Sequence, residues 1–237
     1  MANSFFNFKQ FSVNQDSCSM KVGTDGVLLG AWAEVSKENC RILDIGTGTG
    51  VISLMIAQRN ESASIDAIDV DYDAVEQANS NFVASPWSQR LTTYCISLQD
   101  FCSHKKYDYI VSNPPYFINS FKAEGMRGVA RHTDTLSYSE LIDGVLRLLN
   151  EEGVFSVILP YIESNIFIVQ SALKGLFCNK RMDIKGVADK PIKRVLLQMS
   201  RRKSSDVISE MLVIETSVRH CYTDKYKELT KNFYLNF

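Results

Sequence analysis

Two short turns in this sequence carry residue types that suit the transfer of a chemical group. The first, "DIGTGTG", places Gly46, Gly48 and Gly50 on alternate positions directly after an apolar run. Glycine lets the backbone turn tightly and approach a ligand closely. The second, "SNPPY" at 112–116, follows another apolar run and holds an amide and an aromatic ring beside two prolines. Because proline cannot donate a backbone hydrogen bond, strands and helices end at such a turn.

Carboxylates flank the glycine turn. Asp69 ends the next predicted strand, 19 residues after Gly50, where a carboxylate can accept both ribose hydroxyls of a nucleoside. Asp44 precedes the turn and suits an ammonium group better than a phosphate. The G-x-G-x-G spacing also differs from the G-x-G-x-x-G spacing that binds a pyrophosphate. These features favour S-adenosylmethionine (SAM) over a dinucleotide, and Asp100 is a candidate acceptor for its adenine amino group. The alternative is a purely structural turn.

The turn at 113–116 suits an exocyclic amino group as methyl acceptor. Such an amine is a weak nucleophile, because its lone pair is delocalised into the ring. The Asn113 side-chain oxygen and the Pro114 carbonyl can accept its two hydrogens, orient the lone pair and offset the developing positive charge. Pro115 keeps the turn rigid, and Tyr116 can stack on the base. These four residues are the predicted catalytic set; the alternative is a proline-terminated strand with a buried tyrosine.

Alternating strands and helices place the two turns together. The sequence predicts strands at 41–45, 64–70, 90–96, 107–112 and 154–160, and helices at 51–59, 71–84, 137–150 and 161–175. Extended segments follow near 177–187, 194–200 and 210–215, and a short helix near 223–233. Ser137, with Glu140 three residues later, predicts a capping box at the start of the helix at 137–150. This pattern implies a parallel sheet covered on both faces. With the strand order 3-2-1-4-5, both turns face one crevice at the switch point, where ligands bind in such sheets.

The composition excludes several classes of protein. The chain has 237 residues, of which 45% are hydrophobic and 22% charged, and a net charge of -1. No apolar run approaches the roughly 18 residues of a membrane span, and the N-terminus lacks the features of a signal peptide. None of the six cysteines forms a C-x-x-C pair and the three histidines lie far apart. We therefore expect a cytoplasmic protein with reduced thiols and no metal site.

One segment, residues 174–203, is strongly basic. It holds ten lysines and arginines and two acids, Asp183 and Asp189. A local basic surface is a candidate phosphate-binding footprint, and the alternative is a solvated face. The candidate RNA-binding residues are Lys190, Lys193, Arg194, Arg201 and Arg202.

Several segments resemble one family of enzymes. "DIGTGTG", "AIDVD" and "VSNPPY" are similar to the signatures of the class I SAM-dependent methyltransferases that methylate amino groups. "NFKQF", "MKVGTDGVLLGAWA", "SPWSQRL" and "YTDKYKELTKNFYLNF" resemble the bacterial tRNA N6-adenine methyltransferases that modify valine tRNA at the adenine just 3′ of the anticodon. The resemblance spans nearly the whole chain and implies SAM as cofactor and tRNA as substrate. The loop 118–135, with Arg127, Arg131 and His132, does not match residue by residue.

The resemblance also implies site residues and a fold. Residues 21 and 23–25 are expected to lie over the cofactor. The full predicted cofactor-binding set is Lys21, Gly23, Thr24, Asp25, Asp44, Gly46, Thr47, Gly48, Gly50, Asp69, Asp100 and Asn113. The predicted fold is α/β, a doubly wound, mostly parallel, Rossmann-like sheet of seven strands with an antiparallel edge hairpin. Residues 1–38 are expected to form an N-terminal flap and lead helix, and 39–237 the methyltransferase domain.

Other functions remain open on the residues alone. Methylation of a protein glutamine at N5 poses the same chemical problem, but only about 40 residues precede the glycine turn, where those enzymes usually carry a helical domain. Guanine-N2 RNA methyltransferases usually have a longer N-terminal part. A nicotinamide oxidoreductase would leave the turn at 113–116 unexplained, and a non-catalytic RNA-binding module would leave Asn113 without a role. The sequence leaves the oligomeric state open, with a monomer slightly favoured.

Overall fold

The computed structural model describes residues 4–18, 20–115 and 136–236. The strands within these ranges are β1 Phe5–Asn7, β2 Ser12–Asn14, β3 Arg41–Ile45, β4 Ser64–Asp69, β5 Leu91–Cys95, β6 Tyr107–Ser112, β7 Leu149–Pro160, β8 Phe177–Lys185, β9 Arg194–Ser200 and β10 Ile208–Val213. The helices are α1 Thr24–Trp32, α2 Val51–Arg59, α3 Tyr72–Val83, α4 Tyr138–Leu148, α5 Tyr161–Leu173 and α6 Asp224–Thr230.

Strands β3 to β10 form one sheet in the order β10-β8-β9-β7-β6-β3-β4-β5. Five neighbouring strands of the sheet are parallel to one another, in the order β5, β4, β3, β6 and β7. Strand β9 runs antiparallel to both β7 and β8. The predicted order of the first five strands is confirmed, because β3 lies between β4 and β6. The described sheet has eight strands, one more than predicted. The β8–β9 hairpin is present but is not the edge, because β10 pairs in parallel along the free side of β8.

Helices cover both faces of the sheet. Side chains alternate between the faces of a strand, so Ile42 of β3 packs in one core cluster with Leu28 and Met55 of α1 and α2. Its neighbour Leu43 belongs to a second cluster, which contains Leu141 of α4. Burial on both faces is the doubly wound arrangement that the alternating pattern predicted.

Side-chain caps start two helices at the carboxyl edge of the sheet. The Ser137 hydroxyl accepts a hydrogen bond from the Glu140 amide, and the Glu140 carboxylate accepts from the Ser137 amide, which confirms the predicted capping box. Asp71 caps α3 by accepting from the Asp73 amide. Each cap fixes the residue at which its helix begins.

The N-terminal segment packs on the main domain. Strands β1 and β2 form an antiparallel hairpin, with Phe6 opposite Val13. Phe8 and Phe11 are buried with ring centroids 4.6 Å apart, and Phe11 meets Trp87 edge-on at 5.6 Å. Because the rings of Phe8 and Phe11 are buried, they attach the hairpin to the domain and do not form a surface on which bases could stack.

The described ranges also bear on membrane and metal binding. Within residues 4–18, 20–115 and 136–236, no helix combines the length and apolarity that a membrane span requires. The same residues contain no group of three or more side chains arranged to hold a metal ion.

Candidate active site

The glycine turn and the Asn-Pro-Pro turn lie side by side at the carboxyl edge of the sheet. Strands β3 and β6 are parallel neighbours, and their last residues, Ile45 and Ser112, are directly paired. The Ser112 hydroxyl donates to the Ile45 carbonyl at 2.9 Å. Because neighbouring strands lie about 4.8 Å apart, Gly46 and Asn113 leave the sheet next to each other.

A cleft of about 790 Å³ opens above these strand ends. That volume lies within the range of small-molecule sites. Its walls come from the carboxyl ends of β3, β4, β5 and β6, as the predicted strand order requires. The sequence-predicted residues that line it are Gly46, Gly48, Asp69, Asp100, Asn113, Pro114 and Pro115. Tyr116, Arg127, Arg131 and His132 lie outside the described residues.

The three glycines have different roles. All have positive φ angles, 71° at Gly46, 55° at Gly48 and 79° at Gly50, where other residues are strained. Among the described residues, a Cβ at Gly46 would meet nothing within 4 Å, and one at Gly48 would meet the Cys18 Sγ alone, at 3.8 Å. A Cβ at Gly50 would lie 2.5 Å from the Phe82 ring. Gly46 and Gly48 therefore open the backbone to the cleft, whereas Gly50 does not line the cleft and allows α3 to pack closely.

Asp69 connects the glycine turn to the cleft. Its Oδ2 accepts a hydrogen bond from the Gly48 amide at 2.9 Å, and its Oδ1 accepts from the Asp71 amide at 3.1 Å. A carboxylate offers about four acceptor sites, so both oxygens can still accept from a ligand. The half-buried carboxylate is thus fixed in place beside a nucleoside-sized cleft, as ribose recognition requires.

Asp44 lies buried beneath the glycine turn and does not line the cleft. Its Oδ2 accepts from the Thr47 hydroxyl at 2.8 Å and the Ser53 hydroxyl at 2.7 Å. Its Oδ1 has no hydrogen-bond partner among the described residues. Burial raises the pKa of Asp44 from 3.8 to about 6, against the opposing effect of the Ser53 and Thr47 hydrogen bonds. Asp44 therefore supports the glycine turn from below, and its predicted contact with the ammonium group of SAM stays a prediction. The residues that suit SAM in the cleft are the open backbone at Gly46 and Gly48 and the carboxylate of Asp69.

Asp100 lines the cleft while bonded to its own loop. The Ser97 hydroxyl donates to Asp100 Oδ2 at 2.7 Å and accepts from the Asp100 amide at 3.1 Å. Gln99, next to it, donates to the Glu140 carboxylate at 3.1 Å. The predicted adenine contact is therefore a preorganised polar group at the β5 side of the cleft.

Residues at the start of α1 stand apart from the cleft lining. Gly23 is the residue before the helix, and Lys21, Thr24 and Asp25 flank it without lining the cleft. Asp25 accepts from the Arg194 guanidinium of β9 at 2.8 Å. The structure thus brings Asp25 to a residue that the sequence assigned to RNA binding.

Some residues that line the cleft were not predicted. They include Cys18, Met20, Asp71 and Glu140. Glu140 was recognisable as half of a capping box, a signal that locates the helix start and does not reveal that the carboxylate faces a ligand. Cys18 belongs to no motif, and Met20 begins the segment "MKVGTDGVLLGAWA" without a predicted role of its own. Both reach the cleft through the way the N-terminal segment folds back.

Solved structures share this fold. A predicted O-methyltransferase from Agrobacterium tumefaciens matches with a TM-score of 0.68 at 17% identity, covering 88% of this chain and 96% of that chain. TYW2 from Pyrococcus horikoshii, in complex with MeSAdo, matches with a TM-score of 0.58 at 17% identity, covering 82% of this chain and 69% of that chain. The architecture, with a glycine turn over the cleft, is that of the class I SAM-dependent methyltransferases.

Sequence comparison gives the family. The model of the methyltransferase small domain matches residues 23–159. The tRNA1(Val) (adenine(37)-N6)-methyltransferase of Phocaeicola vulgatus is 50% identical over 240 residues, covering 100% of each chain. The chain therefore belongs to the methyltransferase small-domain family and, within it, to the tRNA1(Val) (adenine(37)-N6)-methyltransferases. This confirms the resemblance found in the sequence and SAM as the cofactor.

The first prediction concerns the stability of the Asp44→Asn variant at different pH values. Because the folded-state pKa of about 6 exceeds the usual 3.8, the folded protein holds the proton more tightly than the unfolded chain. Ionisation of Asp44 thus lowers the free energy of unfolding as pH rises from about 4 to about 6. The asparagine oxygen can still accept both hydroxyls, so the variant should escape this loss and gain about 1–2 kcal/mol relative to wild type between pH 5 and pH 8.

Urea unfolding of both proteins across that pH range measures the difference. If the free energies of unfolding of wild type and variant change in parallel with pH, Asp44 stays ionised in the folded protein.

The second prediction is that Asp69→Ala weakens SAM binding by about 10- to 100-fold. A charge-assisted hydrogen bond is worth about 1.5–3 kcal/mol, and the Gly48 amide also loses its acceptor. Calorimetric titration with SAM measures the change. The control is Asp66→Ala on the same strand, whose carboxylate accepts from Tyr107 and Arg41 outside the cleft. An unchanged affinity in Asp69→Ala would rule out the ribose contact.

Proposed function

We propose that this protein transfers the methyl group of SAM to the exocyclic N6 of an adenine in tRNA, the adenine 3′ of the anticodon of a valine tRNA. The observation that carries the proposal is the pairing of Ile45 with Ser112, which sets the Asn113-Pro114-Pro115 turn beside the glycine turn in one cleft. The substrate and position follow those in the name of the Phocaeicola vulgatus relative. The proposed compartment is the cytoplasm, where tRNA is found.

The chemistry assigned to this chain is positioning and charge stabilisation. SAM supplies an electrophilic methyl group. Asn113 accepts one hydrogen of the adenine amine through its side-chain oxygen, and the Pro114 carbonyl accepts the other. The two acceptors hold the amine in one orientation and offset the positive charge that develops on nitrogen. Pro114 is buried and Pro115 exposed, so the turn is anchored on one side and open to a base on the other.

The turn between β8 and β9, residues 186–193, is the proposed docking point for tRNA phosphates. Arg194, the first residue of β9, pairs with Pro160, the last residue of β7. The turn therefore lies at the same sheet edge as the cleft. Lys190 and Lys193 are exposed there, and the Lys193 carbonyl accepts from the amide of Tyr161. The Tyr161 ring is 38% exposed beside them, which adds a surface on which a base can stack.

The predicted basic surface is divided by the fold. Arg201 and Arg202 follow β9 at the opposite edge of the sheet, where Arg201 meets Glu151 at 3.7 Å and Arg202 pairs with Glu152. Arg194, on the cleft edge, is paired with Asp25. The proposed phosphate contacts are consequently limited to Lys190 and Lys193, and Arg201 and Arg202 are left out.

The third prediction compares two double variants. Lys190→Glu with Lys193→Glu should raise the Michaelis constant for tRNA and lower the slope of log affinity against log salt by about two units, because each lost phosphate contact lowers it by about one. Arg201→Glu with Arg202→Glu makes the same change of charge at the opposite edge and is the matched control. Equal effects of the two pairs would mean that net charge, and not this turn, determines tRNA affinity.

The fourth prediction is that Asn113→Ala lowers the rate of the chemical step by about 10²–10³-fold at saturating tRNA and SAM. The loss resembles that of one preorganised polar group at a developing charge. Single-turnover methylation of tRNA lacking the modification, followed by nucleoside analysis, measures the rate and identifies the modified base. SAM titration and circular dichroism show whether the variant is folded and binds cofactor. A folded variant with a near-normal rate would place the acceptor site elsewhere.

Tyr116 has a different predicted effect. Stacking on the base is worth about 1–3 kcal/mol, and the adenine must leave its stack to reach the strand ends. Tyr116→Ala should therefore lose tRNA affinity more than single-turnover rate, which distinguishes it from Asn113→Ala in the same assay.

A further inference from the structure

A short N-terminal segment borders the cofactor cleft. We call residues 14–18, which run on from the last residue of β2, the strap. At its end Cys18 is buried and lines the cleft, and its Sγ is the nearest atom to the position of a Cβ on Gly48. The strap therefore lies against the glycine turn and forms part of the cleft wall. Four of its five residues are polar, and hydrogen bonds contribute to holding it in place: the buried Gln15, for example, accepts from the Val22 amide at 2.8 Å.

Asn81 of α3 bonds both to the strap and to the glycine turn. Its Oδ1 accepts from the Asn14 amide at 2.8 Å, and its Nδ2 donates to the Asn14 carbonyl at 2.9 Å. The same Nδ2 donates to the Thr49 carbonyl at 2.9 Å. The side chain is 1% exposed, so water cannot readily replace these bonds. One amide thus ties Asn14 to Thr49, two residues that are 35 positions apart in sequence.

Gln77 extends this attachment by one helical turn. It lies four residues before Asn81, on the same face of α3, and its Oε1 accepts from the Ser17 amide at 3.0 Å. Among the described residues, the Gln77 side chain bonds to the strap and not to the glycine turn. Substitution of Gln77 therefore releases a bond to the strap, whereas substitution of Asn81 releases bonds to both the strap and the glycine turn.

The glycine turn is held from two sides. Asp69 accepts from the Gly48 amide, and Asn81 donates to the carbonyl of the next residue, Thr49. With positive φ angles at Gly46, Gly48 and Gly50, the turn has many conformations open to it in the absence of such anchors. A cofactor site formed by this backbone therefore depends on both anchors for its shape.

We infer that Asn81 is a positioning residue for the cofactor site: it joins the strap to the glycine turn and so sets the affinity for SAM without lining the cleft. The inference needs SAM in the cleft and does not depend on the identity of the RNA substrate. Loss of Asn81 leaves the reacting groups at Asn113 untouched. Its removal should therefore change the binding of SAM much more than the rate of methyl transfer at saturating SAM.

The test is Asn81→Ala, measured by calorimetric titration with SAM in the absence of tRNA. We expect the dissociation constant to rise by about 10- to 100-fold, because two carbonyls and one amide lose a buried partner. In steady-state assays the Michaelis constant for SAM should rise by a similar factor, while kcat at saturating SAM stays within about threefold. Gln77→Ala, which frees only the strap, should raise the dissociation constant less, by about threefold.

Asn60→Ala is the matched control. Asn60 is also a buried asparagine, whose Nδ2 donates to the Val35 and Lys37 carbonyls and whose Oδ1 accepts from the Ser62 and Ala63 amides. It follows α2 and does not line the cleft. A general loss of stability should appear in both alanine variants, whereas only Asn81→Ala should weaken SAM binding.

Amide hydrogen exchange supplies a readout that is independent of activity. In Asn81→Ala the Asn14 amide should lose protection, and in Gln77→Ala the Ser17 amide should do so. If Asn81→Ala does not fold, the Gln77→Ala affinity and exchange decide the role of the strap. Unchanged SAM affinity in folded Asn81→Ala, an equal loss in Asn60→Ala, or a fall in kcat without a change in the Michaelis constant for SAM would each overturn the inference. A failure of tRNA methylation with normal SAM binding would instead count against the proposed substrate.

Discussion

The pairing of β3 with β6 is the constraint on which the site depends. Each strand ends in a turn that would be unremarkable alone, a glycine turn in one case and a proline turn in the other. Parallel pairing of Ile45 with Ser112 brings the two turns within one strand spacing. A shift of the register by one residue would also turn every side chain of a strand to the other face. The buried residues on both faces of β3 exclude that shift, so the core fixes the site.

The cleft holds two kinds of acceptor in different places: the carboxylate of Asp69 at the end of β4, and the neutral oxygens of Asn113 and Pro114 after β6. Asp69 is held by two backbone amides and stays half-exposed to the cleft. Asp44 lies beneath the turn, where burial raises its pKa to about 6. Asn113 and Pro114 offer uncharged oxygens, which can hold an amine without taking its proton in the ground state. The two kinds of acceptor lie apart because Asp69 ends β4, whereas Asn113 and Pro114 follow β6 on the other side of β3.

The sheet also separates the cations of the basic segment. Consecutive turns of an antiparallel pair lie at opposite ends of the strands, so residues before and after β9 face opposite edges. Lys193 therefore lies near the cleft, while Arg201 and Arg202 lie at the other edge and bond to residues near the start of β7. A basic stretch in a sequence becomes a basic surface only if its residues share one face.

The sequence by itself determined the approximate positions of the first five strands, the two turns, Asp69 and the capping box at Ser137. These depend on local patterns: hydrophobic alternation, glycine and proline at turns, and a hydroxyl three residues before a glutamate. The tertiary structure alone decided that Gly50 lets Phe82 pack closely and that Asp25 pairs with Arg194. It also decided that β10 pairs with β8 and that Asn81 joins the strap to the glycine turn. Each of these joins residues distant in sequence, and no local pattern records such a contact, because it forms only when the core brings separate elements together.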